Sequence, residues 1–507
     1  MARLPVMYLL ILPVSAVNLL GAHGLSANAL QGLENELRWN PLSSIADAVG
    51  DAVQGAVGSI TSSAAKALLG DMVVDDFELP PPTKATVNRE VGICVMTMIV
   101  VLGIGYTLDV MMPKPSTSGR PSWLCIATLL GSYVLLVPGL ICTLFQFLLG
   151  VELLGVKVLL TQVDNRYEPI IESTIGLVGL LFDTGGWIGA LLLILYAMVV
   201  PALKIGFLIL AELWRESPDP RQVLFAKRSI QVVQMISKWA CPDMFAYILL
   251  LYLFRHLNGA GGIIAAPAQL GIGFACFSIF CVFSTFSTLM VEVPHAAEEV
   301  EGPVKPWLLR SEATAAAGVG AFVLFLVIFG LGLFAPTMAM YLDSALLLKP
   351  NGPLDESLKP MLDSLHLEEL VNAEVTIADA TWALTGYIAG GEMNDVFAVL
   401  MLSIFVILLP LVNMFCLCMG SWKLSSEDTE GAWRYLCVSR VLKHIEMLDV
   451  AIMGIIVVTC AGTAYHKQGV MFSVMTGLWI LLLAEVLHYV THYQVHDSYK
   501  YLQRSKL

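Results

Sequence analysis

Charge is what this chain has least of. Asp, Glu, Lys and Arg make up 14% of its 507 residues, against about 25% in soluble domains. Hydrophobic residues reach 57% and the mean hydropathy is +0.76, which defines an integral membrane protein. The net charge of −13 argues against a nucleic-acid partner, since that needs concentrated Lys and Arg. Nucleophile elbow, phosphate loop, His-Glu-x-x-His and Cys-x-x-Cys are all missing. The motifs therefore give no reason to read an enzyme, a cofactor site or a metal centre. The ten cysteines lie mostly in apolar runs, and segments 25–88, 149–185 and 340–393 hold none, so no disulfide is expected there.

What the chain does have is apolar segments of membrane-crossing length, about 20 residues each. They fall near 91–112, 122–148, 186–213, 241–257, 264–292, 315–338, 394–420, 446–463 and 469–491. This predicts an all-α polytopic membrane protein with about nine transmembrane helices: two pseudo-repeated four-helix units plus an extra first helix. Residues 1–24 read as a signal peptide or an uncleaved signal anchor, with Arg3 ahead of an apolar run. Residues 25–88 read as a non-cytosolic amphipathic segment with helical spacing from Ile45 to Ile60, closed by Leu79-Pro-Pro-Pro-Thr83. Then follow the extra helix (89–121), the first unit (122–295), a linker (296–313), the second unit (314–495) and a tail (496–507).

Basic residues set the expected orientation. A cleaved signal leaves the N-terminus non-cytosolic, in the secretory pathway or plasma membrane. Lys114, Arg120, Arg215, Arg221, Lys227, Arg228, Lys238, Lys305, Arg310, Lys423, Arg434, Arg440, Lys443, Lys500, Arg504 and Lys506 then face the cytosol, and the acidic loop 342–395 faces away.

The two units share an order of polar landmarks. Ser173-Thr-Ile175, Pro201-x-x-Lys204 and Asp243 recur as Val375-Thr376-Ile377, Pro410-x-x-Asn413 and Asp449. Proline and aspartate lie 42 residues apart in the first copy and 39 in the second. Lys204 sits deep in an apolar helix, where a charge costs about 2.5–3.5 kcal/mol, so it either pairs inside or snorkels to the headgroups. Asn413 matches it in the second copy. Asp243 and Asp449 open short helices, as caps or as partners for Lys204, Lys238 or Lys443. Glu485 and His488 share a helix face, as a packing contact or a relay. Pro138, Pro201, Pro336 and Pro410 are expected helix kinks, with gating by Pro201 and Pro410 as the alternative. Asp395 is expected to cap the seventh span. Gly185-Gly186, Gly261-Gly262 and Gly390-Gly391 read as loop or close-packing residues.

These landmarks, with Leu135-Leu-Val-Pro138, Trp187, Lys238-Trp239-x-x-x-Asp243-Met-Phe, Pro336 and Met447-Leu-Asp449-Val, resemble the paraquat-inducible protein A family over roughly 122–495. The resemblance implies a membrane subunit of an intermembrane lipid transport system, working on membrane lipid beside an MCE-domain or analogous lipid-conducting protein. The chain departs from the bacterial pattern: it lacks the Cys-x-x-Cys zinc modules and adds a signal, a non-cytosolic segment and an extra helix. A proton-coupled small-solute carrier or channel, and a membrane scaffold, remain as alternatives.

Overall fold

A computed structural model describes residues 73–74, 76–77, 79–80, 82–112, 120–153, 156–159, 161–163, 166–258, 264–294, 311–342, 372–462 and 470–506. The expected signal, most of segment 25–88, the linker 296–313 and Gly261-Gly262 lie outside the described residues, apart from the linker's last residues, which open a helix. By its contacts the chain divides into Met1–Val73 with Leu153–Val156, and Val74–Glu152 with Lys157–Leu507. The helical bundle belongs to the second unit.

Its helices are α1 (Lys84–Met111), α2 (Trp123–Ile141), α3 (Thr174–Thr184), α4 (Trp187–Trp214), α5 (Pro220–Ile236), α6 (Pro242–Leu257) and α7 (Ile272–Leu289). There follow α8 (Ser311–Phe334), α9 (Ile377–Tyr387), α10 (Met393–Ser425), α11 (Thr429–Ile445), α12 (Leu448–Ala461) and α13 (Thr476–Lys506). The protein is an all-α polytopic membrane protein; among the described residues, seven helices are long and apolar enough to cross a membrane.

The halves α2–α7 and α8–α13 are built in the same order. Each carries a small antiparallel sheet between its first and last helices. In one, β1 (Phe145–Phe147) lies between β2 (Ile170–Glu172) and β3 (Ala268–Leu270). In the other, β4 (Met338–Leu342) lies between β5 (Ala373–Val375) and β6 (Val470–Val474). Ser173 and Thr376 then cap α3 and α9, accepting from the amides of Gly176 and Asp379. Gly185, which ends α3, and Gly391, just after α9, take left-handed φ values of 84° and 77°, which glycine adopts without penalty. α4 and α10 each contain a π-helical stretch, Ile194–Val199 and Met401–Leu408, ending just before Pro201 and Pro410. In the second half this wider turn leaves the Phe405 carbonyl free to accept from the Met447 amide, 2.9 Å away.

Several sequence-based boundaries shift. Spans 122–148 and 264–292 each take in sheet residues, because apolar strands and helices share a hydropathy signal. Segments 241–257 and 446–463 are not free-standing spans. They contain α6 and α12, the inner parts of two broken helices whose outer parts, α5 and α11, read as loop because their charged faces lower the mean hydropathy. α5 nonetheless buries Ala226, Ser229, Ile230 and Val233 at helical spacing. α12, at 14 residues, is about 21 Å long and too short to span alone. Pro138 lies inside α2, and Pro201 and Pro410 inside α4 and α10. Pro336 does not kink a helix: it follows the end of α8 and its carbonyl accepts from Gly477 at 2.7 Å.

The broken helices form the centre. In the stretch Pro220–Leu257, 89% of the most apolar window is buried, against 17% for α1, 28% for α2 and 22% for α8, whose apolar faces suit lipid. α6 packs along α12, and Gly454 of α12 makes the approach possible: a Cβ there would lie 2.4 Å from the Pro242 oxygen and 3.0 Å from Phe245 Cβ. Gly454→Val is expected to lower stability by about 1–3 kcal/mol. Gly206→Ala, at a position with nothing within 4 Å, should cost nothing. Thermal unfolding of both variants in one detergent checks the contrast.

Candidate functional site

Where α5 breaks into α6, and α11 into α12, backbone and side chains must find polar partners away from water. The first break is a 3-10 turn, Ser237–Ala240. The second is shorter, around Glu446 and Met447. α5 and α11 have the same length, 17 residues. The extra turn in the first half therefore accounts for the difference between 42 and 39 residues.

Lys204 lies fully buried beside the first break. Its ammonium donates to Ser237 Oγ (2.5 Å), the Ser284 carbonyl (2.8 Å) and Ser284 Oγ (3.0 Å), filling its three donor positions. It does not snorkel, and among the described residues it forms no ion pair with Asp243 or Asp449. Asn413 occupies the corresponding place, donating to Glu446 Oε2 at 2.9 Å and accepting from Ser439 at 2.6 Å. Lys204–Ser237 and Asn413–Glu446 are both pairs 33 residues apart. Ser284 and His488 correspond too, each fourteen residues beyond the strand positions Leu270 and Val474 that pair with Phe145 and Met338. One scaffold position thus holds lysine and hydroxyls in one half, and amide, carboxylate and imidazole in the other.

The second break gathers the larger charged cluster. Lys443 contacts Glu446 Oε1 (2.5 Å) and Glu485 Oε1 (2.9 Å), and its ammonium lies 3.4 Å from the centre of the Tyr489 ring. His488 Nδ1 lies 3.4 Å from Glu485 and 3.5 Å from Glu446. Glu485 and His488 do share a face, as their spacing predicts. Ligand atoms of Glu446, Glu485 and His488 come within 4.8 Å of one another and could hold a cation, an arrangement invisible in the sequence spacing. The Lys443 ammonium already bonds two of these carboxylates.

One side chain, Lys238, joins the breaks of the two halves. Lys238, from the extra 3-10 turn, reaches Asp449 Oδ2 at 2.7 Å and lies 3.3–3.4 Å from the carbonyls of Glu446 and Lys443. Tyr489 donates to the same Asp449 oxygen at 2.8 Å. Asp449 is therefore an ion-pair acceptor and also serves the start of α12: Met447 holds the N-cap position without a side-chain cap bond, while Asp449, in the first turn, accepts from the Val450 amide through Oδ1 at 2.9 Å. Asp395 is not the expected cap: Glu392 holds the N-cap position of α10. Asp395 pairs with Arg255 at 2.8 Å, while Glu392 takes the other Arg255 nitrogen at 2.6 Å, tying the end of α6 to the start of α10.

Asp243 stands apart. It is 1% exposed, its carboxylate lies against the backbone amides that open α6, and among the described residues no side chain bonds it; Lys204, Lys238 and Lys443 are all engaged elsewhere. It lines a narrow cleft, with a cavity of about 20 Å³, between α6, α12 and the sheets of both halves. Phe145, Tyr247, Leu250 and Phe472 contribute to the walls, and Glu172 is the other carboxylate. Burial pushes Glu172, which lies in β2 outside the membrane-spanning helices, up to about 7 from 4.5.

Residues 160–296 match the family model of paraquat-inducible protein A. Over this segment the chain is similar to the paraquat-inducible protein A family. The matched segment holds Lys204, Ser237, Lys238, Asp243 and Ser284; the second half lies beyond it. No curated protein matches. SecDF, a translocon-associated membrane protein from Thermus thermophilus, is 13% identical with a TM-score of 0.21, over 84% of this chain and 63% of that one. SecDF in its Super-membrane-facing form gives 13%, 0.18, 83% and 62%. The chain thus spans less than two thirds of either, and such loose overlaps carry no argument.

Two outcomes follow. Lys238→Met leaves Asp449 buried with no cation, held by Tyr489 and the Val450 amide, and is expected to cost about 3–5 kcal/mol, most of it recovered in Lys238→Met/Asp449→Leu; thermal unfolding of single and double variants reads this. Glu172 holds a proton in the fold that the unfolded chain releases, so its contribution to stability falls as pH rises from 4.5 to about 7, then levels. Glu172→Gln should flatten that part of the stability–pH curve.

Proposed function

We propose that this protein, with its segment similar to paraquat-inducible protein A, is the integral membrane subunit of an intermembrane lipid transport system. The observation that supports the reading is the cleft between α6 and α12. It has apolar walls, lies at the seam of the two halves, and has the buried carboxylate of Asp243 in its lining. The halves are a duplicated bundle, and membrane transporters place binding sites at such seams, beside discontinuous helices. An acyl chain suits the aliphatic and aromatic wall. Lipid passes from the bilayer through the cleft to an MCE-domain or analogous lipid-conducting protein. The protein itself performs no covalent chemistry. It resides in the secretory pathway or plasma membrane, with its N-terminus non-cytosolic once the signal is removed.

The charged seam supplies the coupling. Lys238 and Lys443 face three carboxylates, Asp449, Glu446 and Glu485, so a proton on His488 or on one carboxylate balances the cluster. Gaining or losing that proton changes the strength of the bond between the two breaks, and so the opening of the cleft. This same cluster favours the second reading, a proton-coupled carrier of a small solute.

Native mass spectrometry with lipid identification, on protein purified in mild detergent, tests the reading. Wild type should retain a phospholipid that Leu250→Trp, which fills the cleft, has lost while remaining monodisperse. Proton uptake by proteoliposomes without retained lipid would favour the solute carrier, and neither activity would favour a scaffold.

A further inference from the structure

Three of the chain's nine histidines, His488, His492 and His496, stand on one face of α13, successive turns apart and spanning about 12 Å. His488 and His496 are buried and His492 is half-buried. Coupling at the charged cluster employs His488 alone and leaves the other two without a role. At the inner end of the row, His488 Nδ1 lies 3.4 Å from Glu485 Oε2, the oxygen that Lys443 leaves free by bonding Oε1. His488 Nε2 has no hydrogen-bond partner among the described residues. In the middle, Ser439 gives its hydroxyl proton to Asn413, so it accepts from His492 Nδ1, 3.4 Å away. At the outer end the His492 and His496 rings have centroids 4.2 Å apart, and His496 Nδ1 donates to the His492 carbonyl at 3.0 Å. Asp497 and Lys500, just beyond, are 56% and 63% exposed, so the row comes within a turn of the surface.

An imidazole can take a proton on one nitrogen and release one from the other, so a row of them carries charge where free ions are excluded. Arg440 and Lys443 of α11, Glu446 at the second break, and Glu485, Tyr489, Tyr493 and Lys500 of α13 surround the row. Lys238 and His444 also act on Glu446; α8 supplies the Phe325 ring and α10 supplies Asn413. Arg440 and Lys500 oppose a charge resting on His496, while Glu485 and Glu446 favour its arrival at the inner end. The matching line in the first half is Ser284, Thr288 and Glu292, with no imidazole.

We propose that His496, His492 and His488 form a proton path from the surface at the tail end of α13 to Glu485. The inference rests on the protonation-coupling reading of the charged cluster and gives that cluster an entrance. A proton taken up by His496 passes to His492 and then to Nε2 of His488. His488 releases its Nδ1 proton to Glu485 Oε2, and every ring returns to its neutral form. Glu485, now neutral, no longer forms an ion pair with Lys443.

The test follows the infrared band of protonated carboxyl in the full chain, reconstituted in liposomes of one orientation, after a sudden drop in pH. Loss of the band in Glu485→Gln identifies it. In wild type the band should rise promptly when the drop is made on the tail side of the membrane, and lag when it is made on the other. His492→Phe, which keeps a ring, should slow the rise by about a hundredfold, the low end of what a positioned acid–base group contributes, and leave its final height unchanged. His496→Phe should do the same. A wild-type rate in His492→Phe, with or without an altered final height, overturns the path and leaves protonation coupling standing. So does an equal response to both sides in wild type, a measurement that serves if the variants do not fold. A response of the imidazole bands without the carboxyl band overturns Glu485 as the terminus. If neither band responds to pH in wild type, the coupling reading fails and this inference with it.

Discussion

The structure depends on two helices that stop inside the bundle. A helix break away from water exposes amides and carbonyls that lipid cannot satisfy, and the chain must supply partners for them. The second half does this with a π-helical turn, which frees the Phe405 carbonyl for the Met447 amide. Each half sets polar side chains from its long proline-containing helix against its break: Lys204 on Ser237 and Ser284, Asn413 on Glu446 and Ser439. Once the breaks exist, Lys238 and Asp449 can face one another across the seam.

That ion pair carries a cost as well as a role. Burying two charges is rarely a net gain over a well-packed apolar pair, whereas losing one partner is severe. A seam held mainly by packing would have one stable arrangement. A seam held by charges can change with protonation, and Lys238, Asp449, Lys443, Glu446, Glu485 and His488 form one connected group through Tyr489 and neighbouring carbonyls. At the other end of α6, Arg255 with Asp395 and Glu392 joins the halves a second time. Between these polar fastenings lies the cleft, with the buried carboxylate of Asp243 in its lining. The two aspartates that look alike in sequence thus have different work, because Lys238 exists in one half's extra turn and nothing equivalent reaches Asp243.

The primary structure was enough to establish a great deal. Low charge and repeated apolar runs of about 20 residues dictate a membrane-embedded helical protein, since a helix of that length crosses the bilayer with its backbone satisfied internally. The order of Ser173, Pro201, Lys204 and Asp243, with its second occurrence, marks two halves of like construction, and Lys204 is conspicuous because a lysine in an apolar helix is expensive. Glu485 and His488 share a face by helical geometry alone. Only the tertiary structure decided the rest. Residues 220–236 and 429–445 were hidden as helices because their outward charges cancel the apolar signal of their buried faces. The small sheets were hidden because short apolar strands and helix ends have the same hydropathy. The pairing of Lys238 with Asp449, the grouping of Lys443 with Glu485, and the isolation of Asp243 depend on which helices lie side by side. Contacts between residues 42 or 211 positions apart in the chain are set by packing, and periodicity along a single helix carries no record of them.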